Sequence, residues 1–492
     1  MKTYKYIFLS GLLILMSCGD FLDEEVYTEI NPETFLQSEE GLDALLVGAY
    51  ASLQVTTWDA VGYYYALGEF STDMSWETGG GLNRRVLPLM EFSWDPSTDY
   101  FNQYYSRFYE AIAAANNVLL VTGELTSVDQ SILNKTIAEA RFIRGTAYYL
   151  LHNLFGPTPI VEIPAGASLD EIEAAGKGSR ATEDEYRMQV ESDLMFAVDN
   201  LEYGGSSSRA NKGSAYAVLT KYYLNNKQWS DAASAAENVI NNGGYALYPN
   251  YLDLFSVVGE NNTEFVFRFD CLVGSNQQNT YISHAFPPNY PIQTNWANFG
   301  AQFRTYTAFF ETFDDTDSRR QLLIHEYTPT TTNELTPLDR DTDGNALDDV
   351  RSFKFFPDPN AVGAFHGNDI PLIRYADILL ARAEALNESN GPAQESIDLI
   401  NEVRSRANSD ASFRVSLADF GTKESLRDFI LAERGREFYS EGLRREDLIR
   451  HGSYIEQAVN RGKLAQAHHV LFPIPQAQRD NNPDLGQNDG YQ

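Results

Sequence analysis

Two segments of this 492-residue chain have the pattern of helical hairpins, in which two helices with one apolar face each are joined by a short turn. The first lies near 209–241, with its turn before Trp229, and the second lies near 371–408. Small residues such as Ala232 and Ala236 recur on the expected contact faces and permit close helix packing. Helices of this kind bury their apolar faces only by stacking on neighbours, as tetratricopeptide-like repeats do. The sequence therefore predicts a mostly α-helical fold built on tetratricopeptide-like hairpins.

Other helices are predicted to join the same bundle. Apolar residues recur over 133–154 with alternating spacings of four and three, which places them on one helix face. This helix should end at Gly156-Pro157, a pair that breaks helices. Arg144 falls on the apolar face, so we expect it to be partly buried and paired with a carboxylate. Earlier helices are expected near 34–54 and 101–121.

Two long stretches, near 56–100 and 245–370, lack this periodicity and are rich in Gly, Pro, Asn and aromatic residues. Loops of this length are unusual in a compact domain unless they serve a function. We expect the helical hairpins to support them as a long, irregular, loop-rich ligand-binding region. Residues 31–492 would then form a single domain.

The N-terminus has the features of an export and lipidation signal. Basic residues precede an apolar run over 6–16, which is too short to span a bilayer. Residues 15–18, Leu-Met-Ser-Cys, resemble a bacterial lipobox. The sequence thus predicts a signal peptide over 1–17, lipidation of Cys18 and a tether over 18–30, with acyl chains holding the protein on a membrane. The alternative is an ordinary signal peptide with Cys18 near the cleavage site by chance.

Charge and cysteine content exclude several classes of function. The formal net charge is −32, from 69 acidic and 37 basic residues. Such a charge disfavours nucleic acid and anionic membrane surfaces as partners. The chain has two cysteines, Cys18 and Cys271. If Cys18 is acylated, no disulfide and no cysteine-based metal cluster can form.

Aromatic residues make up 13% of the chain, and their positions suggest a ligand site. Trp94 and Trp229 adjoin predicted helices and are expected in the core, whereas three other tryptophans lie in the loop-rich stretches among polar residues. An aromatic plane can stack on the apolar face of a sugar ring while nearby polar groups bind its hydroxyls. The predicted ligand-binding residues share these properties: Trp58, Asp73, Trp76, Asn83, Arg84, Tyr281, Tyr290, Asn295 and Trp296. For each tryptophan, packing in the core is the alternative.

Alternating acidic residues over 339–345 suggest a calcium loop. Their spacing, with Gly344 in the sixth place, matches the first half of an EF-hand loop. Val350 occupies the twelfth place, where an EF-hand has a bidentate Glu, so Asp348 or Asp349 would have to replace it. The candidate Ca²⁺ ligands are Asp339, Asp341, Asp343, Asn345 and Asp348. The alternative is a solvated Asp-Gly turn. No other cofactor is predicted.

Three carboxylates, Glu433, Glu437 and Glu441, are spaced to share one helix face. Two carboxylates facing a cleft would suit glycoside hydrolysis. However, the same segment contains several arginines, namely Arg434, Arg436, Arg444 and Arg445. Pairing with arginine explains the mixture without catalysis. We therefore expect a structural role here and no enzymatic activity.

Four motifs, in order along the chain, resemble those of the SusD/RagB family of nutrient-binding lipoproteins. The motifs lie at 139–156, at 371–385 leading into 400–407, at 433–448, and at 472–475 with 482–491. Each motif alone is modestly specific, but together they extend over most of the chain behind the lipobox. The acidic stretch 19–25 further resembles the tag of lipoproteins on the outer face of the outer membrane.

The resemblance implies a tetratricopeptide-like helical fold that supports an irregular ligand-binding region. It implies a lipid-anchored outer-membrane protein that faces the cell exterior, captures an oligosaccharide or polysaccharide, and delivers it to a TonB-dependent transporter of the SusC type. In the family, the regions that correspond to those around Trp76 and Trp296 contribute to the binding surface. Most members bind glycans and some bind peptides. The alternatives are thus a peptide-binding importer component of the same fold and a glycosidase.

Overall fold

The computed structural model describes most of the chain after the N-terminal segment. The described residues are 35–54, 62–77, 83–163, 171, 174–273, 279–300 and 302–492. The predicted signal peptide 1–17, Cys18, the tether 18–30 and Trp58 lie outside the described residues, as does the side chain of Asn83.

The described chain is mostly helical, as the periodicity predicts. The α-helices are α1 Glu39–Leu53, α2 Asn83–Glu91, α3 Asp99–Glu124, α4 Gln130–Phe155, α5 Glu183–Asn200, α6 Lys212–Asn225, α7 Trp229–Asn242, α8 Tyr281–Ala285, α9 Thr307–Phe310, α10 Tyr375–Asn390, α11 Gln394–Ala407, α12 Lys423–Phe438, α13 Arg444–Arg450, α14 Tyr454–Asn460 and α15 Gln476–Asn481. A π-helix and short 3-10 helices lie at Gly62–Leu67, Ser318–Leu322, Ala411–Phe413, Leu417–Asp419 and Ala467–Val470. No helix in these described ranges is both long and apolar enough to cross a membrane.

Helices α6 and α7 form the first predicted hairpin, and α10 and α11 form the second. A capping box begins α6, because Asn211 and Ser214 each bind the other's backbone N–H. The two hairpins stack through α7 and α10. Their contact is made of small residues, including Ala232 and Ala381, so the two backbones approach closely. The prediction of stacked hairpins is confirmed.

Helix α4 ends at Gly156, whose φ of 70° is readily adopted only by glycine. Arg144 on this helix donates two hydrogen bonds of 2.7 Å to the carboxylate of Asp193 on α5. The Arg144 side chain is 12% exposed, so the predicted burial and carboxylate pairing are confirmed. Helix α1 packs against α3 and α4, which places the predicted early helices in the same bundle.

Short antiparallel strand pairs connect the loop-rich region to the helices. The strands are β1 Ser75–Glu77, β2 Phe265–Phe269, β3 Phe303–Thr305, β4 Leu323–Ile324, β5 Glu326–Tyr327, β6 Thr336–Pro337, β7 Arg351–Ser352 and β8 Ile370–Arg374. The pairs are β1–β3, β2–β8, β4–β7 and β5–β6. Strand β8 leads directly into α10, so the β2–β8 pair fixes the loop-rich region on the second hairpin. The β1–β3 pair joins the two loop-rich stretches and sets Trp76 opposite Arg304.

Helix α12 carries Glu433 and Glu437 into a buried ionic network, which Glu441 joins from the turn after the helix. The expectation that all three carboxylates share one helix face is therefore wrong for Glu441, because the helix ends at Phe438. Glu433 and Glu437 are fully buried, and Glu441 is 8% exposed. Arg319 donates to Glu433 at 2.8 Å and to Glu437 at 3.0 Å. Arg374 donates to Glu437 at 2.6 Å and to Glu441 at 2.7 Å. Other cationic partners of these carboxylates are Lys354, Arg404, Arg406 and Arg436. We call this set the α12 ionic network.

Candidate functional site

Three aromatic rings lie parallel in the second loop-rich stretch and form what we call the aromatic stack: Tyr290, Phe286 and Trp296. The Trp296 ring lies 6.0 Å from that of Phe286 at an angle of 11°, and the Tyr290 ring lies 5.6 Å from it at 17°. Phe286 is buried, whereas Tyr290 and Trp296 are half-buried. The stack therefore has a fixed apolar base and two rings that reach the surface.

The polar surroundings of Trp296 are held by backbone contacts. Asn295 is exposed and donates from its side-chain amide to the Ala361 carbonyl at 2.7 Å. Trp296 itself forms a bridge to Gly363. The Trp296 indole N–H is buried and has no hydrogen-bond partner among the described residues. A buried polar group without a partner is uncommon, and ligand sites are one place where it occurs.

Exposed apolar side chains outside the predicted set of ligand-binding residues lie in the same loop-rich stretch. Val362 is 63% exposed and Phe365 is 38% exposed, in the turn that bridges to Trp296. Phe299 is 37% exposed and its ring contacts the buried His284. A signal for them was available in the sequence, since all three lie in stretches rich in Asn, Gly and Ala. Val362 and Phe365, on either side of the Gly363 bridge to Trp296, add exposed apolar area beside the aromatic stack, of the kind that marks binding sites.

Trp76 lies outside the aromatic stack and makes its contacts with other residues. Its ring stacks on Tyr306 at 6.3 Å and 20°, and the Arg304 guanidinium lies 4.9 Å from its centre. Its indole N–H donates to the Asp348 carbonyl at 2.7 Å. Trp76 is half-buried, and much of its polar and aromatic capacity is used within the protein. The prediction that it binds ligand stays a prediction.

The prediction for Tyr281 is wrong. Tyr281 is 3% exposed, its ring packs against Tyr65 and Phe303, and its hydroxyl lies 3.0 Å from the Ser440 hydroxyl. Burial raises the pKa of this phenol to about 12. Tyr281 is therefore a core residue beneath the loop-rich region.

The prediction that Asp73 binds ligand stays a prediction, because its side chain is 28% exposed but is already engaged within the protein. Its carboxylate accepts two hydrogen bonds, of 2.8 and 2.7 Å, from Arg444 on α13. Burial alone would raise the pKa of Asp73, but the Arg444 guanidinium lowers it below its ordinary value. Asp73 thus ties the first loop-rich stretch to the helical core. Arg84 is exposed on α2, and its predicted role stays a prediction as well.

The candidate calcium loop does not fit a cation. Both Asp341 oxygens accept hydrogen bonds from N–H groups, namely the backbone N–H of Asp343 and of Asn345 and the side-chain amide of Asn345. Donors thus point at the oxygens that would have to bind Ca²⁺. Asp348 Oδ1 in turn accepts from the Thr307 backbone at 2.8 Å.

The two remaining candidate carboxylates, Asp339 and Asp343, do not complete a metal site. Asp343 is exposed, and the Asp339 side chain accepts from the Arg340 backbone N–H. Within the described part of the chain, no three His, Cys, Asp or Glu side chains are grouped to hold a metal ion. The segment is a solvated Asp-Gly hairpin closed by an Arg340–Ala346 bridge, and the calcium prediction is wrong.

The helix α12 carboxylates do not form a catalytic pair. Burial alone would raise the pKa of Glu437, but Arg406, Arg374 and Arg319 hold it at about 2. A carboxylate with so low a pKa, paired with three arginines, cannot serve as a general acid near neutral pH. The expected arginine pairing is confirmed, although most partners come from elsewhere in the chain.

Of the four arginines near the helix α12 carboxylates in sequence, only Arg436 pairs with one of them. The others bind elsewhere: Arg434 to Asp377 and Asp447, Arg444 to Asp73, and Arg445 to the Val470 carbonyl.

The two expected core tryptophans differ. Trp94 is 5% exposed, and its ring packs against Phe92, His469 and Phe472. Its indole N–H donates to the Tyr491 hydroxyl at 2.8 Å, so the core prediction is confirmed. Trp229 is only half-buried. It packs against the apolar residues between the two hairpins, which include Ala232 and Ala381.

Comparison with known proteins gives consistent similarities over the whole chain. A family model described as "SusD family" matches residues 206–491, and one described as "Starch-binding associating with outer membrane" matches residues 20–224. The chain is 26% identical over 473 residues to SusD-like protein P2 of Formosa agariphila, covering 92% of this chain and 91% of the relative. It is 24% identical over 580 residues to the starch-binding protein SusD of Bacteroides thetaiotaomicron, covering 100% and 99%. A solved structure of a laminarin-binding SusD-like protein has the same fold, with a TM-score of 0.75 at 22% identity over 92% of this chain and 99% of that one.

Proposed function

Because this chain belongs to the SusD family, we propose that it is a cell-surface lipoprotein that binds a glycan without cleaving it. It would pass the glycan to a TonB-dependent transporter of the SusC type. The observation that carries the proposal is the aromatic stack, which sets half-buried Tyr290 and Trp296 on the rigid base of Phe286. Relatives named for starch and laminarin binding support the same class of ligand.

The geometry of the aromatic stack suits recognition of sugar rings. Phe286 also contacts Phe353 edge-on, so the base of the stack is held from the side. Tyr290 contacts Phe353 and Tyr327, which limits its movement. Fixed rings lose little conformational entropy when a ligand binds, so more of the stacking energy is available for affinity.

Trp296→Ala should weaken glycan binding. Truncating a central aromatic anchor removes most of the desolvated contact, which we expect to amount to about 2 kcal/mol. That corresponds to roughly thirtyfold in affinity. The measurement is isothermal titration calorimetry with malto- and laminari-oligosaccharides and a panel of plant, fungal and host glycans. Trp296→Phe, which keeps a ring on Phe286, should retain most of the affinity. Trp76→Ala should have a smaller effect, because Arg304 and Tyr306 already engage that ring.

Each result of this titration decides between functions. Glycan binding that is unchanged in Trp296→Ala would place the binding surface elsewhere. Binding of peptides but of no glycan would replace the proposal by the peptide-importer alternative. Chromatography of the glycan after long incubation should show the intact ligand, and new products would make the protein a glycosidase.

Cys18→Ala should release the protein from the membrane fraction and abolish acyl labelling, because the proposed anchor is the acyl group on this cysteine. Cell fractionation with a radiolabelled fatty acid measures both effects. The matched control is Cys271→Ala, which removes the other thiol of the chain; Cys271 is 3% exposed within the core. That variant should stay acylated and membrane-bound. Retention of Cys18→Ala in the membrane fraction would refute the lipid anchor.

A further inference from the structure

A cavity of about 310 Å³ lies against the stacked hairpins, away from the loop-rich region. It is bordered by the turn between α6 and α7, by the C-terminal half of α10, by α12, and by the turn after α13. The side chains that matter for its chemistry are Lys227, Trp229, Glu384, Glu388, Arg427 and His451. None of them is part of the aromatic stack.

The two carboxylates of this cavity are already paired. Arg427 donates to both oxygens of Glu388 at 2.6 Å each. Arg450 donates to both oxygens of Glu384 at 2.6 and 2.8 Å. Bidentate pairs of this kind neutralise both partners locally. Neither carboxylate is left to attract a cation.

One cationic charge in the cavity remains uncompensated. Lys227 is exposed in the α6–α7 turn and makes no ion pair with another described residue. Its φ of 59° is in the left-handed region, and this backbone conformation lets the chain turn from α6 to α7. On a chain whose net charge of −32 otherwise repels anions, this uncompensated positive group makes the cavity a local point of attraction for an anion.

His451 supplies an independent sign of a ligand. Its side chain is 3% exposed, and Nε2 pairs with a Glu384 oxygen at 3.1 Å. Nδ1 is buried and has no hydrogen-bond partner among the described residues. Leaving a buried polar atom unpaired is unfavourable, so a ligand group that pairs with Nδ1 gains binding free energy.

Trp229 gives the cavity a flat apolar wall. It begins α7, is half-buried, and packs against the contact cluster of Leu224, Ala381 and Ala385. The same side chain borders the cavity. Packing from behind fixes the ring, as it does for aromatic walls that receive a sugar face.

We propose that this cavity is a second binding site, for a sugar acid such as a uronic acid residue. The pyranose ring lies against Trp229, the carboxylate binds Lys227 and the outer edge of Arg427, and a hydroxyl pairs with His451. The cavity volume is at the lower end of the about 300–1,000 Å³ found for small-molecule sites. That size suits one monosaccharide unit and is small for a protein segment.

Calorimetry of the full-length chain in detergent tests the proposal, with glucuronate and galacturonate as probes and methyl glucoside as the neutral comparison. The uronates should bind and methyl glucoside should not, and the uronate affinity should fall as ionic strength rises. Lys227→Asn removes the charge while an Asn still tolerates the left-handed turn. It should weaken uronate binding about tenfold, which corresponds to about 1.4 kcal/mol.

Matched variants separate the cavity from general charge effects. Lys135→Asn makes the same change at an exposed position of α4 and should leave uronate binding unchanged. Trp229→Leu should weaken uronate binding while neutral glycans still bind at the aromatic stack. That contrast separates failure of this site from failure of the proposed function.

Three results would overturn the assignment. One is equal binding of glucuronate and methyl glucoside. Another is equal uronate affinity of Lys227→Asn and the unaltered chain. The third is binding of a glutamate-rich peptide in place of the uronates, which would make the cavity part of a protein interface.

Discussion

Glu437→Gln should lower the free energy of unfolding by about 3–5 kcal/mol, because it removes one charge from a buried network and leaves the opposite charges uncompensated. Glu437 is fully buried and accepts hydrogen bonds from Arg319, Arg374 and Arg406. The amide is nearly isosteric with the carboxylate, so the loss is electrostatic and does not create a cavity. Urea denaturation followed by circular dichroism measures the change.

The control for this prediction is Glu424→Gln, the same chemical change at an exposed position of α12. An exposed substitution of this kind should change stability by less than about 0.5 kcal/mol. Equal effects of the two variants would show that the network adds nothing to stability.

The α12 ionic network also predicts how stability depends on pH. The folded-state pKa of Glu437 in this network is about 2, below its ordinary value of 4.5. Outside the network, Asp447 on α13 pairs with Arg434 and Arg450, and its pKa is also about 2, below its ordinary value of 3.8. A carboxylate with a depressed pKa contributes its stability above its unfolded-state pKa and loses it as pH falls towards its folded-state pKa. Stability should therefore decline between about pH 4.5 and pH 2. Glu437→Gln should show a shallower decline, since one of the titrating groups is gone.

Trp94→Ala should destabilise the protein by about 3–5 kcal/mol, the range for truncating a buried aromatic side chain to Ala. The ring fills the space between α3 and the C-terminal segment, where it contacts Phe101 and Phe472. Its loss also leaves the Tyr491 hydroxyl without the N–H that donates to it. Thermal and urea denaturation measure the effect.

Trp94→Phe separates the two contributions at this site. It keeps most of the apolar contact and loses the hydrogen bond, so it should cost less than half as much as Trp94→Ala. Glycan affinity of folded Trp94→Ala should equal that of the unaltered chain, because the ring is 5% exposed and lies outside the aromatic stack. A folded variant that lost glycan affinity would contradict the assignment of Trp94 to the core.

Features that depend on local periodicity could be predicted from the sequence. The hairpins could be predicted because their apolar and small residues recur at helical spacing. This spacing places those residues on one helix face, independently of contacts with the rest of the chain. The pairing of Arg144 could be predicted for the same reason, since a guanidinium on an apolar face requires a carboxylate. What the sequence did not specify was the partner, Asp193, on the next helix.

Features that depend on distant partners were predicted less well. Asp73 is paired with Arg444, 371 residues away in sequence. Tyr281 is buried by Tyr65 and Ser440, which lie far from it along the chain. In the Asp339–Asn345 segment the spacing of oxygens was correct for calcium. The direction of the N–H groups decides against it, and spacing does not reveal that direction.

The buried pairing of charges has a consequence for how copies of this protein behave towards one another. The largest fully buried side chains include five arginines, among them Arg319 and Arg374. Inside the α12 ionic network Arg319 and Arg374 are matched by carboxylates, so these cations offset buried negative charge and not the charge at the surface. The chain as a whole carries a formal net charge of −32. Neighbouring molecules should repel one another over about 10 Å at 0.1 M salt, and over shorter distances as salt is added. The density at which copies can pack on a surface should therefore rise with ionic strength.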